Sequence, residues 1–88
     1  MDETEMFRIA IDKWGERDQE GMMIQECAEL IEAITNLWRG RVGPDAVLEE
    51  MADVDIMLRQ MQIIIGDDIR FQQIRASKLK RLRSRLED

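Results

Sequence analysis

The stretch ECAELIEAITNLWRGRVGPDAVLEEMAD, residues 26–53, decides how this chain folds. Apolar side chains at Cys27, Leu30, Ile31, Ile34, Leu37 and Trp38 recur at steps of three and four, the period of one helix face. The pattern stops at Gly40, a residue suited to the left-handed turn that closes a helix. It resumes at Pro44, whose fixed φ and missing N–H suit a first helical turn. From there Val47, Met51, Val54, Leu58, Met61 and Ile65 form one stripe, with Ala52, Ile56 and Ile63 on a second side. Helices joined by so short a connection are antiparallel neighbours. A helix apolar on more than one side needs more than one partner.

Outward from this stretch, Gly15 and Gly66 are the remaining breaks. They predict a first helix from about Glu3 to Trp14, with Met6, Ile9, Ala10 and Trp14 as its apolar stripe. The second helix is predicted from about Arg17 to Arg39, and the third from near Pro44 to near Gly66. A fourth runs from about Asp67 to Leu86 and carries Leu79, Leu82 and Leu86 on one side. Acids at its start and bases at its end suit the helix dipole. No segment alternates like a strand. The expectation is an all-α four-helix bundle, one domain over residues 1–88. The two-sided third helix predicts a second subunit as its further partner.

Composition narrows the chemistry. The chain has 88 residues, one cysteine and no histidine. A domain of this size buries roughly 60–65% of its unfolded surface, so its own core is modest. Cys27 has no disulfide partner, and without histidine there is neither a base to activate its thiolate nor a full zinc ligand set. The longest apolar run is Ile63-Ile64-Ile65, too short for a membrane span. No basic segment followed by an apolar one marks a signal peptide. The expected location is the cytoplasm, or the host cytoplasm if a phage encodes the chain. Residues 1–66 carry a net −9 and residues 67–88 a net +3, which makes the total of −6.

Within the acidic part, Glu26 and Glu29 share one helix face, and Glu50 and Asp53 share another, each pair spaced i, i+3. Both pairs border an apolar stripe, so an antiparallel pairing brings all four carboxylates together. Clustered like charges repel unless a cation sits among them. Oxygen-only ligands suit Mg²⁺, with Mn²⁺ as a substitute. The di-iron pattern of helical bundles requires Glu-x-x-His and is excluded.

These residues carry a resemblance. The segments Glu26-Cys-Ala-Glu29 and Glu50-Met-Ala-Asp53, with the length between them, resemble the paired acidic signature of MazG-like nucleoside triphosphate pyrophosphohydrolases, in their short phage and bacterial form. Lys13-Trp14-Gly15 upstream and Lys78-Leu-Lys-Arg81-Leu downstream are similar to flanking parts of that family. The resemblance covers roughly residues 9–86. It implies a bundle built as a homodimer or a dimer of dimers, and hydrolysis of ribo- or deoxyribonucleoside triphosphates to monophosphate and pyrophosphate. It makes Glu26, Glu29, Glu50 and Asp53 the Mg²⁺ ligands. Members often carry an acid just before the first motif glutamate, where this chain has Gln25, an amide able to contact phosphate or base.

In that reading Glu29 also accepts the proton of the attacking water. Lys78 and Arg81, with Arg75 and Arg85 as further cations, hold the leaving pyrophosphate. Trp14 stacks on the base, with Lys13 or Gln19 nearby. Asp55 and Arg59, at i, i+4, form an ion pair without a catalytic task. The alternative is a non-enzymatic interaction module whose basic last helix binds nucleic acid or a partner protein. An acidic body repels a phosphate backbone, and no aromatics are interleaved with the basic residues, so stable nucleic-acid binding is not expected.

Overall fold

The computed structural model describes residues 1–88. Helix α1 spans Glu3–Trp14, α2 Glu16–Trp38, α3 Pro44–Ile65 and α4 Asp68–Leu86, with no strand. The punctuation acts as its chemistry dictates. Asp2 Oδ1 accepts from the Glu5 N–H at 2.8 Å and caps α1. Asp67 Oδ1 does the same for the Arg70 N–H at 3.0 Å and caps α4.

Helix α2 ends in a Schellman turn. Arg41 N–H donates to Asn36 O at 2.9 Å and Gly40 N–H to Leu37 O at 3.0 Å, with Gly40 at φ 71°. A side chain there would strain the backbone, which explains the glycine at this point of the sequence. Pro44 then opens α3 at its first turn.

Helices α2 and α3 are the main packed pair; α1 rests on both, and α4 touches α3 alone. Between them, Ala33 and Met57 are buried, while Leu30, Ile34, Leu37, Val47, Val54 and Met61 are half-buried. On α1 the inward face differs from the expected stripe. Of that stripe Ala10 is half-buried, but Met6 and Ile9 are 50% exposed and Trp14 55%, while Ile11 is buried and Phe7 half-buried in their place. Both sets obey helical spacing, and only the position of α2 and α3 selects between them.

Much apolar surface has no partner within the chain. Ile24, Ile31 and Trp38 are spaced by seven along α2 and are 72%, 64% and 81% exposed. On α3, Met51, Leu58 and Ile65 of the first stripe and Ile56 of the second are also exposed, as are Leu79, Leu82 and Leu86 on α4. The accessible surface is 7187 Å². A folded monomer of 10.4 kDa exposes about 5,400 Å² by the usual mass scaling. The radius of gyration is 15.9 Å, against about 12 Å for a closed domain of this length. No helix is long and apolar enough to cross a membrane.

Candidate metal centre

Antiparallel packing of α2 on α3 sets Glu26 and Glu29 opposite Glu50. Each of these three offers a carboxylate oxygen, and the three oxygens lie within 4.8 Å of one another. Their side chains are half-buried at the helix–helix seam. Asp53, the fourth predicted ligand, is exposed and stands outside the tight trio, though its charge acts on both Glu26 and Glu50.

Two of the oxygens are orphaned. Glu26 Oε2 and Glu50 Oε2 are buried and have no hydrogen-bond partner. A buried carboxylate oxygen without a partner is costly. No lysine or arginine offsets it, because the one ion pair of the chain is the exposed Arg59–Asp55 contact at 3.5 Å on the outer side of α3. That pair agrees with the i, i+4 reading.

The protonation of the cluster follows from this. Desolvation pushes Glu26 up to about 7, aided by a hydrogen bond to Glu29 and by the charges of Glu29, Asp53 and Glu50. Desolvation raises Glu50 too, followed by the charges of Glu29 and Asp53, a hydrogen bond to Glu29 and the charge of Glu49. Glu29 lies at the centre of both sets of interactions. It also accepts a hydrogen bond from Gln25 Nε2 at 3.2 Å. Without a cation Glu26 therefore titrates near neutral pH. An all-oxygen donor set with two unsatisfied buried atoms fits a hard divalent cation, and Glu26, Glu29 and Glu50 are the residues that would hold it.

The cluster lies between two clefts along the α2–α3 seam. One, of about 270 Å³, is bordered by Glu29, Asn36, Val42, Glu49 and Glu50. The other is larger, about 820 Å³, and is bordered by Trp14, Gln19, Met22, Gln25, Met57 and Gln60. Trp14 is 55% exposed, and the Lys13 ammonium lies 5.5 Å from its ring centre, a cation–π contact. Trp14 and Gln25 thus share one cleft, and Gln25 links it to the carboxylates.

Lys78 and Arg81 are not brought to the cluster. They are exposed on α4 and border neither of these clefts. Gln60 was not anticipated from the sequence. It is buried at 5% exposure and accepts a hydrogen bond from Gln19 Nε2 at 2.7 Å. A glutamine carries no periodic apolar signal, so nothing in the pattern of α3 marked it.

No family model matches the chain, and no curated protein or solved structure matches it either.

Proposed function

We propose that the chain is a Mg²⁺-dependent nucleoside triphosphate pyrophosphohydrolase of the MazG-like type, acting as a homodimer or a dimer of dimers. The observation that carries this reading is the pair of buried, partnerless oxygens of Glu26 and Glu50 beside Glu29. Such a cluster is unfavourable as an ornament of the fold and useful as a ligand set.

Bound at Glu26, Glu29 and Glu50, Mg²⁺ or Mn²⁺ supplies charge neutralisation for the triphosphate and lowers the pKa of a water. The chain's own residues do the rest. Asp53 adds negative potential at the edge of the trio and takes part in holding the cation. Gln25 holds Glu29 in place through its amide and faces the larger cleft. Glu29 accepts the proton of the attacking water. The water oxygen bonds to the α-phosphorus, the α–β bridging P–O bond breaks, and pyrophosphate leaves. Trp14 offers a ring for a base to stack on.

The oligomer is supported by surface. The chain exposes roughly 1,800 Å² more than a monomer of its mass, within the range one subunit buries in an obligate interface. A second copy also gives the cations of α4 a place to act. Lys78 and Arg81 are remote from the carboxylates of their own chain, and an assembly that covers the apolar faces can set them beside those of a neighbour, where they hold pyrophosphate.

The test is pyrophosphate release from the eight common ribo- and deoxyribonucleoside triphosphates with Mg²⁺, run beside Glu29→Gln. Turnover that falls at least about 100-fold in the variant is expected, the scale of a lost electrostatic group at the reacting centre. Thermal stability should also rise with Mg²⁺, by about 2.7 kcal/mol at 100 times the dissociation constant. Silence across the panel, with melting indifferent to Mg²⁺, would overturn the reading and leave the interaction module in its place.

A further inference from the structure

The larger cleft holds a polar device that the carboxylate chemistry does not use. Gln19 and Gln60 are each 5% exposed and lie on different helices, 41 positions apart, joined by a 2.7 Å hydrogen bond. Gln60 Nε2 faces Met57 Sδ at 3.8 Å. A thioether accepts weakly and cannot donate, so it favours the amide nitrogen of Gln60 on its side. Gln60 Oε1 is then left to accept from Gln19 Nε2. The orientation of one amide fixes the other, and Gln19 Oε1 is the acceptor left without a partner in the chain. Both glutamines border the same cleft as Trp14.

Position along the helices adds a second observation. Gln19 lies seven residues before Glu26 on α2, about 10 Å at 1.5 Å per residue. Gln60 lies seven residues beyond Asp53 on α3. The cleft, the carboxylates and the smaller cleft therefore follow one another along a single seam. A ligand with a flat ring at one end and phosphates at the other matches that order. The volume of about 820 Å³ is within the range of small-molecule sites.

We propose that this cleft is the base pocket of the carboxylate site, in which Gln19 Oε1 accepts a hydrogen bond from an exocyclic amino group, so that cytosine and adenine nucleotides are taken in preference to uracil and thymine nucleotides. The proposal rests on the triphosphate reading for the nature of its occupant. Trp14 stacks on the ring and Gln19 reads its edge. Gln60 and Met57 are positioning residues that keep the acceptor of Gln19 turned outward. A carbonyl group of uracil or thymine placed against Gln19 Oε1 sets two acceptors face to face, leaving both unsatisfied. Sites built on such a contact reject the wrong partner more strongly than apolar sites do.

The experiment uses nucleosides without phosphate or metal, so that it does not depend on turnover. Tryptophan fluorescence of the full chain is titrated with cytidine, adenosine, uridine and thymidine, with Trp14→Phe as the control that leaves only the Trp38 signal. Cytidine and adenosine are expected to quench saturably and to bind about 10-fold more tightly than uridine and thymidine, the scale of one hydrogen bond between buried groups. Gln19→Met should bring the four within about threefold. The milder Met57→Leu, which leaves both glutamines in place, should narrow the gap through loss of orientation alone. Equal binding of cytidine and uridine by the wild-type chain, or no Trp14-dependent quenching up to the solubility limit, would overturn the proposal. Nucleoside discrimination without triphosphate turnover would keep this pocket and remove the hydrolase. Turnover without discrimination would remove the pocket alone.

Discussion

Helix α2 with its partner α3, and helix α4, are built from the same kind of sequence and have opposite surroundings. All three are long, 23, 22 and 19 residues, and all begin or end on clear signals. Every residue buried on α2 and α3 meets the seam between helices, and the carboxylate cluster sits on that seam. On α4 no residue is buried, and Phe71 alone is half-buried. The difference separates two things that are often run together. Capping at Asp67, a glycine stop at Gly66 and charges suited to the dipole are enough to specify that α4 is a helix. They do not specify where it docks. Docking comes from an apolar face meeting another, and within this chain α4 meets α3 alone, over a short stretch.

The largest test of this contrast is to place a charge where the chain alone would tolerate one. Ile31 is 64% exposed on α2 and Leu82 is 51% exposed on α4. In a monomer, Ile31→Asp and Leu82→Asp are surface changes that alter stability by no more than about 0.5 kcal/mol. In an interface they bury a carboxylate without a partner, which costs several kcal/mol and separates the subunits. Light scattering should show an oligomer for the wild-type chain and a monomer for each variant, with a lower melting temperature. A wild-type chain that runs as a monomer at every concentration would break the comparison, since the exposed faces would then need no cover.

How far the sequence alone reaches differs between these regions for the same reason. The loop between Gly40 and Pro44 set both neighbouring helix ends and their antiparallel order, because its residues act locally on the backbone. The carboxylates were legible as two i, i+3 pairs bordering apolar stripes. The structure resolves them further, into a tight Glu26, Glu29 and Glu50 trio with Asp53 at its edge. The inward face of α1 was not legible. Met6 and Ile9 satisfy the helical period as well as Phe7 and Ile11 do, and only a tertiary partner decides. The Gln19–Gln60 contact was out of reach, since two polar residues 41 positions apart announce nothing until their helices are packed.

A smaller effect separates the two regions by pH. Glu26 lies at about 7 in the folded chain, against an ordinary value of 4.5. Below pH 4.5 it is protonated in both states. Between 4.5 and 7 the folded state binds the extra proton, so its contribution to stability falls as pH rises, and the loss is complete above about 7. Denaturant unfolding of the metal-free chain should show this decline relative to Glu26→Gln, in which the group is absent. Saturating Mg²⁺ favours the deprotonated form and should reverse the trend, with metal affinity rising through the same window. A slope that is the same in wild type and Glu26→Gln would mean that Glu26 does not titrate where its surroundings place it. In the dissociated chain, where α4 is remote from the cluster, charge changes on α4 should leave the difference untouched.

The finest comparison sets two glycines against each other. Gly40 at φ 71° joins α2 to α3, and Gly66 at φ 85° joins α3 to α4. Neither position is crowded: a Cβ on Gly40 would meet nothing within 4 Å, and one on Gly66 only Ile63 O at 3.8 Å. Alanine at either site therefore pays only for the left-handed backbone, roughly 1–2 kcal/mol if the conformation is kept. At Gly40 it must be kept, because α2 and α3 are packed along their length and the Schellman turn has no slack. At Gly66 the chain has another choice. Helix α4 can swing to a new direction and relieve the strain at little loss of packing, since it touches α3 alone. Gly40→Ala should cost about 1–2 kcal/mol in denaturant unfolding and Gly66→Ala clearly less, when both are measured on the single chain. In the proposed assembly the two costs should draw together, because a partner that covers Leu79, Leu82 and Leu86 would hold α4 as firmly as α3 holds α2. Equal costs in the dissociated chain would show that α4 is anchored from within, and that its exposed leucines have some other use.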